Sequence, residues 1–557
     1  MELKKINKSK MVDQPRPWLA LFILILAAAM DMMDVCIVNV AIPVIQKDIG
    51  VKYSMLQWVI AGYALSFAIL LITGGRLGDI FGRKKLFLIG IAGFTITSVM
   101  CGLAQTGITL VVWRFLQGAL AAMMVPQVLS IIQVIFPPEK RGSAAAVYGS
   151  MAGLATVLGP VIGALLTQNN ILGLSWRPIF FINVPVGITA FIAGSLILKE
   201  SKAPNAHKLD IPGVIIITIA LLMLIYPIIQ GNDSGWPLWG YILMVASVPV
   251  FISFVLYELR VSRKGSPLIV LSLFKNRAFT IGLIVNFLTY AGVTSFFMLL
   301  NIYTQTGLGY SVLNAGLITL PWSVGMGITS AIASQYVYKY GRKMLFLGTL
   351  LLLVGIAALI FTINHFGIDI KVWQLSIGLV VGGLGMGFVV PILLTMIVAG
   401  VQKNDAGSAS GIINTVAQIG NAVGIAIIGI VLLSSLSSTS PKSVNAAIPE
   451  MKMEFSKIGI STQVSNSIVG EYSKEYIERM AKSSFSSNES LSATTNAKPI
   501  DPAVKKVIDR VTGKAIKYSF SNSTRLSLGF NIIVFFLSFI MLFFFPLNAK
   551  VKEQSLI

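Results

Sequence analysis

Apolar runs dominate the chain, and short polar breaks cut them at intervals close to the ~20 residues that a bilayer-crossing helix needs. Fourteen runs are predicted to be membrane-spanning helices. The first seven are 18–45, 55–76, 86–106, 109–135, 142–168, 179–198 and 211–230. The rest are 238–257, 278–302, 314–336, 345–365, 372–399, 406–436 and 526–546. An even number places both termini on the same side. The breaks are short except for Ser437–Arg525, a Ser-rich stretch of mixed charge that this count puts outside the cell. Within it, Glu471–Lys482 and Asp501–Lys517 have helical character, while the Ser/Thr/Asn run between them reads as flexible. The whole is read as a solvated extracellular hairpin or small cap.

Composition narrows the class. With 557 residues, 55% of them hydrophobic, 12% charged and a mean hydropathy of +0.81, a soluble globular fold is excluded. The formal net charge of +21 suggests nucleic acid as a partner, but the positions of the cations argue against it. Lys4, Lys5, Lys8, Lys10, Arg16, the Arg76–Lys85 group, Lys140, Arg141, Lys339, Arg342 and Lys343 all fall on one side of the predicted topology. The short loops on the other side hold only Lys47, Lys52, Arg177 and Lys371. That asymmetry marks the first side as cytoplasmic. The expected location is the cell membrane, multi-pass, with both termini inside. The first span carries two acids and no small-residue cleavage site, so it is read as a retained helix.

An internal repeat organises the spans. Gly82-Arg-Lys-Lys-Leu-Phe-Leu returns as Gly341-Arg-Lys-Met-Leu-Phe-Leu, and Gly118–Pro126 has its echo in Gly383–Pro391. Two six-helix halves follow, 18–200 and 278–546, with the 437–525 loop inside the second. An inserted helix pair with its flanking loops occupies 201–277, and 1–17 and 547–557 are cytoplasmic ends. The second copy of the loop replaces the acidic part of the first with Gln335-Tyr-Val-Tyr-Lys-Tyr, so any charge latch is stronger in the first half.

Only three obligate charges are placed within the spans: Asp31, Asp34 and Arg114. Each costs about 2.5–3.5 kcal/mol on insertion scales, which makes it a functional candidate by default. Asp31 and Asp34 are three residues apart and share roughly one face of their helix. Two partly desolvated carboxylates this close do not both ionise easily. A carboxyl able to load and release a proton near neutral pH is what a proton-coupled carrier needs. Arg114 keeps its charge in the membrane and must face a wet cavity or a partner.

Several motifs carry a family resemblance. Gly75-x-Leu77-Gly78-Asp79-x-x-Gly82-Arg83-Lys84, a short charged turn between spans 2 and 3, resembles the signature loop of the major facilitator superfamily of secondary transporters. Met33-Asp34-Val-Cys-Ile-Val-Asn39-Val-Ala-Ile-Pro43 resembles the span 1 motif of the fourteen-helix drug:proton antiporters, with Cys36 where Thr is usual. Arg114, in Trp113-Arg114-Phe-Leu-Gln117-Gly118, matches the span 4 arginine of the superfamily. Gly159-Pro160-x-x-Gly163, with Gly149 and Gly153 upstream, is similar to the antiporter motif of exporters. Trp176-Arg177-x-x-Phe180-x-x-Asn183-x-Pro185-x-Gly187 and the glycines around Asn414 and Gln418 in span 13 resemble the same subgroup.

The resemblance implies alternating access by two halves rocking around a midplane cavity. It implies proton-driven export of lipophilic, cationic drugs, with Asp34 as the coupling acid and Arg114 tuning or relaying the proton. Asp31 stands outside the motif and is a candidate for sharing the proton, or for tying helices together, on its charge alone. Gly75, Gly78, Asp79, Gly82, Arg83 and Lys84 act as a conformational latch against the start of span 13. Asn39, Gln117, Asn414 and Gln418 are candidates for the cavity lining, and Gln418 and Asn421 serve equally to bond neighbouring helices. Export of one metabolite, lipid, peptide or signal is the alternative; a non-transporting membrane sensor is a reading of another class. No P-loop, Ser/His/Asp set or haem motif is present, so no enzymatic activity and no cofactor beyond the proton gradient are expected. Cys36 and Cys101 imply no disulfide, and His207 and His365 lack metal-ligand spacing. The expected partners are small-molecule substrates, protons and membrane lipids, with no nucleic acid; the sequence leaves the oligomeric state open, and a working monomer is the expectation.

Overall fold

The computed structural model describes residues 15–169, 173–202, 209–231, 235–263, 265, 267–398, 406–481 and 502–546. Every regular element among them is helical. In the first half these are α1 (Pro17–Ile49), α2 (Tyr53–Phe81), α3 (Arg83–Gly102), α4 (Gly107–Ile135), α5 (Pro138–Gln168) and α6 (Asn183–Ile197), the last preceded by a single turn, Pro178–Phe181. Next come α7 (Ile211–Gln230) and α8 (Leu238–Ser262). The remainder are α9 (Arg277–Ile302), α10 (Val312–Leu317), α11 (Leu320–Phe366), α12 (Ser376–Val398), α13 (Ala406–Lys457), α14 (Thr462–Ala481) and α15 (Pro502–Met541). Among the described residues, thirteen helical stretches are long and apolar enough to cross a membrane. The fifth expected span, 142–168, lies on α5, whose described residues supply only the shorter apolar stretch Leu158–Gln168.

Local chemistry sets the breaks. Gly50 ends α1 in the left-handed conformation, φ 69°, where a side chain is costly. Thr106 opens α4 with a reciprocal capping box to Thr109. α1 to α6 pack on one another, with α4 wedged between α2 and α3. Gly118 makes the α2–α4 approach possible: a Cβ there would overlap the Tyr63 carbonyl and the Ser66 hydroxyl.

The 47-residue run of α11 takes in both expected spans 314–336 and 345–365. Gly325 faces Val380 and Leu384 of α12, while Gly355 faces Gly378 and Gly382 of that same helix. In a straight rod those two glycines would stand about 45 Å apart at 1.5 Å per residue. The run therefore doubles back as a helical hairpin clasping α12.

α13 is the greatest departure from expectation. Instead of ending near 436, it runs 52 residues to Lys457, about 78 Å at 1.5 Å per residue, far beyond a ~30 Å hydrocarbon core. α15 begins at Pro502 rather than near 526 and spans 40 residues. With α14 they form a three-helix cap in which Val444, Met451, Phe455, Tyr472, Tyr476, Val507 and Val511 are buried, continuous with the core of the transmembrane helices. Lys514–Glu450 (2.5 Å) and Arg510–Glu454 (3.2 Å) clip its rim. The stretch expected to be a hairpin or small cap with helical pieces at 471–482 and 501–517 is thus, among its described residues, helical apart from a turn at 458–461. The 482–501 segment, read as flexible from sequence, lies outside the described residues.

α9, α11, α12, α13 and α15 form the second packed group. The two groups meet along α2 and α13, and also where α5 meets α10. At the latter seam Gln168 Oε1 accepts from the Leu313 backbone N–H at 2.9 Å, and Gly316 lies against Pro160 and Ala164. Nearby, Gln305 donates to the Val40 carbonyl at 2.8 Å. α7 packs on α8, and also on both α2 and α13, so it covers their seam.

Candidate functional site

The three predicted intramembrane charges come together. Arg114 Nη1 lies 2.5 Å from Asp34 Oδ2, and both side chains are about 1% exposed. Gln117, one turn along α4, donates to Asp34 Oδ1 at 3.1 Å, and Asn183 from α6 donates to the same oxygen at 2.8 Å. The guanidinium also donates through Nε to the Val59 carbonyl at 3.1 Å and through Nη1 to Gln117 Oε1 at 2.8 Å. Its carbon stands 4.2 Å from the Tyr63 ring centroid. Tyr63 in turn donates its hydroxyl to Asp31 Oδ1. Asn183 also donates to Ser98 Oγ, which donates to the Phe180 carbonyl.

A buried ion pair persists only where further hydrogen bonds offset the loss of hydration. Here α1, α2, α3, α4 and α6 each contribute a group. Among the described residues, Asp34 has three donors and Asp31 has one, the Tyr63 hydroxyl. The arrangement can exchange partners: a proton or a cationic ligand at Asp34 competes directly with Arg114.

Two motifs set the position of α1 and thereby of its acids. Gly159 and Gly163 on α5 lie against Met33, Cys36 and Ile37, flanking Asp34, where any side chain would push the helices apart. Pro160 sits one residue further on, at the seam with Gly316. Gly149 and Gly153 belong to α5, but they fall outside the residues described at side-chain level. At the far end of α1, Asp48 accepts from Trp176 Nε1 and pairs with Arg177, both at 2.8 Å. The Trp176–Gly187 motif therefore grips α1 twice, at Asp48 through Trp176 and Arg177 and at Asp34 through Asn183.

The predicted latch has a definite geometry. Asp79 pairs with Arg83 at 2.8 Å, four residues on. Glu200, beyond α6, accepts from the backbone N–H groups of Lys84 (3.0 Å) and Lys85 (3.1 Å), an anion at the N-terminus of α3. Lys84 Nζ donates to the Ser195 carbonyl at 2.6 Å. Gly82, at φ 119°, turns the chain between α2 and α3 and lies against the Glu200 carboxylate. Gly78 lies against the Gln127 amide, and Gly75 faces Pro126. All these contacts stay within the first half. The expected partner, the start of span 13, is helical from Ala406, but its side chains at 406–408 and 410 lie outside the described residues. Described contacts of α13 beyond them are Gly411 beside Ile72 and Thr415 donating to the Ala68 carbonyl.

The remaining candidates divide. Gln117 is in the site. Asn39 lies on α1 and donates back to the Val35 carbonyl, leaving its buried Oδ1 without a donor. Gln418 accepts from Asn421, which accepts from Thr294, so this part of α13 bonds to α9. Asn414 is on the same helix, near Thr415. Sequence reasoning missed the roles of Asn183, Tyr63 and Ser98 around the acids, and of Gln57, which donates to the Ile425 carbonyl across the seam at 2.7 Å. A signal existed only for Asn183, as part of a motif. Among the described residues no group of three or more His, Cys, Asp or Glu side chains is placed to hold a metal.

Comparison with known proteins bears on this geometry. The chain is 36% identical to the "Probable actinorhodin transporter" of Streptomyces coelicolor, over 97% of this chain and 93% of that one. It is 30% identical to the "Multidrug resistance protein Stp" of Mycobacterium tuberculosis, over 76% and 77%. Its fold is similar to the crystal structure of a bacterial homologue of the human lysosomal transporter Spinster, in an inward-facing and unoccupied conformation. That likeness has a TM-score of 0.61 at 15% identity and covers 96% of this chain and 98% of that one. The model of the Major Facilitator Superfamily matches residues 24–425, and the chain belongs to that family of membrane transporters.

Proposed function

We propose that the chain is a proton-coupled antiporter that exports lipophilic, cationic compounds across the cell membrane. The observation that carries this reading is the buried Asp34–Arg114 pair with its donors Gln117 and Asn183. An ion pair removed from water stores a charge that a proton or an organic cation can exchange. In the exchange, Asp34 takes a proton or the cation, Arg114 is released toward Gln117 and Tyr63, and Asp31 shares the field. The positive-inside asymmetry supports a topology with the Gly75–Lys84 turn at the cytoplasmic face and the α5–α10 seam at the outer face. With that seam closed, substrate enters from the cytoplasmic side and leaves once the halves have rocked. Export rather than uptake is supported by the Gly159-Pro160-Gly163 packing on α1 and by the names of the relatives.

The test is efflux of a fluorescent cationic dye from energised cells. Wild-type efflux is expected to collapse with a protonophore and in Asp34→Asn, at equal expression. Efflux that persists in Asp34→Asn removes Asp34 from the coupling site. A second reading is supported by the name of the relative matched over nearly the whole chain, which mentions one compound. On that reading the protein is a dedicated exporter, and well-expressed wild type moves no dye at all.

A further inference from the structure

A second buried acidic cluster lies apart from Asp34, where the inserted helix pair meets α2. Asp210 is the N-cap of α7, accepting from the Gly213 N–H at 3.0 Å. It also accepts from the Tyr257 hydroxyl of α8 at 2.7 Å and from the Leu268 N–H at 3.2 Å. Glu258, one residue after Tyr257 and fully buried, accepts from the Ile269 N–H at 3.0 Å. The chain segment Pro267–Ile269 is therefore held by both acids. On its other side the Arg76 guanidinium, from the GlyGlyArg stretch at the end of α2, donates to the carbonyls of Pro267 and Leu268.

One detail decides the protonation. Glu258 Oε1 is buried and meets no hydrogen-bond partner, yet it and Asp210 Oδ2 crowd the same spot beside Gly213, 2.7 and 2.6 Å from where a Cβ would sit. Two ionised carboxylates in that position repel, and a buried acceptor left without a donor is expensive. A proton on Glu258 resolves both problems by bridging to Asp210. Burial pushes the Asp210 carboxyl up, but hydrogen bonds from Tyr257, Glu258 and the Gly213 and Leu268 N–H groups outweigh it and hold it below the usual carboxylate range. Among the described residues, the charged and titratable groups facing the pair are Arg76 from α2 and Tyr257 from α8.

We infer that Asp210 and Glu258 form a proton-bridged carboxyl pair that clamps Pro267–Ile269 under Arg76, fastening the inserted pair α7–α8 to the Gly82 end of α2. The pair and Arg76 are positioning residues. α7 packs on both α2 and α13, so the clamp assigns the inserted pair to the moving unit of the first half and leaves its contact with α13 as the sliding surface. The location of this clamp at the cytoplasmic gate rests on the topology proposed above; the clamp itself does not.

The experiment is pulsed dipolar spectroscopy of the full chain in lipid nanodiscs, with spin labels at Phe81→Cys and Leu259→Cys. Both positions are exposed, and Cys36 and Cys101 are replaced by alanine in this background. A narrow distance distribution is expected for the parent and for Glu258→Gln, whose amide donates to Asp210 as the protonated acid does. Glu258→Ala and Asp210→Ala are expected to lose the narrow peak. A narrow peak that survives Glu258→Ala removes the clamp. A peak lost in a monodisperse Glu258→Gln variant, as in Glu258→Ala, removes the bridging proton. No substrate is present in this measurement, so failure here leaves the export reading standing, and failure of dye efflux leaves the clamp standing.

Discussion

At the scale of single residues, the site is a balance of charges with almost no water to absorb an error. Removing one member of a buried pair leaves the other charge unpaired, at a cost of about 3–5 kcal/mol. Arg114→Met is therefore expected to lower thermal stability in detergent by that order, while Asp34→Asn/Arg114→Gln, which removes both charges and keeps the hydrogen-bonding groups, recovers most of it. A double variant as unstable as Arg114→Met would show that packing of the guanidinium on Tyr63, not charge, is what matters. Asp31, Asp34 and Arg114 were legible in the sequence because charges are rare in spans. Tyr63 and Ser98 were not, since each is an ordinary helix residue until folding turns Tyr63 toward Asp31 and Arg114 and Ser98 toward Asn183; Asn183 was visible only as a motif position. The latch showed the reverse: its residues were plain, but the partner that holds Lys84 and Lys85, Glu200, lies more than a hundred residues along the chain.

Among elements, glycines decide which helices can touch. Gly118→Val is expected to force α4 from α2, because the added carbon meets backbone; overpacking of this kind costs about 1–3 kcal/mol. Gly62→Ala, buried in α2 with nothing within 4 Å of its added carbon, is expected to be neutral or to stabilise by roughly 0.5–1 kcal/mol. Thermal melts of the two variants check the contrast, and equal losses would dismiss the packing argument. Apolar runs located the helices well, because span length is fixed by the bilayer. They could not show that the two spans of α11 form one folded-back helical run, since Gln335–Tyr340 is polar enough to read as a loop. The extension of α13 was hidden by Pro441, Pro449 and a serine run, although Val444, Ala447, Met451 and Phe455 recur at helical spacing.

At the scale of the whole molecule, the two helix groups meet along α2–α13 and at α5–α10, with α1 against α9, and the proposed alternating access requires the α5–α10 seam to open during export. Tethering the α5–α10 seam with a disulfide between Gln168→Cys and Leu313→Cys is expected to abolish dye efflux under oxidation and restore it on reduction. Unchanged efflux with complete cross-linking would mean that this seam never opens. The repeat in the sequence implies two halves, yet how α7 lies across the α2–α13 seam was beyond it, because the lipid-facing and protein-facing sides of a uniformly apolar helix look alike.

The cap made by α13, α14 and α15 has a practical consequence for imaging. A transporter buried in a detergent belt offers little contrast by which single particles can be oriented. Here α13 and α15 continue as unbroken helices into a cap whose buried residues belong to the same continuous core as the transmembrane helices, so an antibody fragment raised against that cap is expected to move with them. Such a fragment is a built-in fiducial for electron microscopy, and it leaves the Asp34 site and both seams untouched.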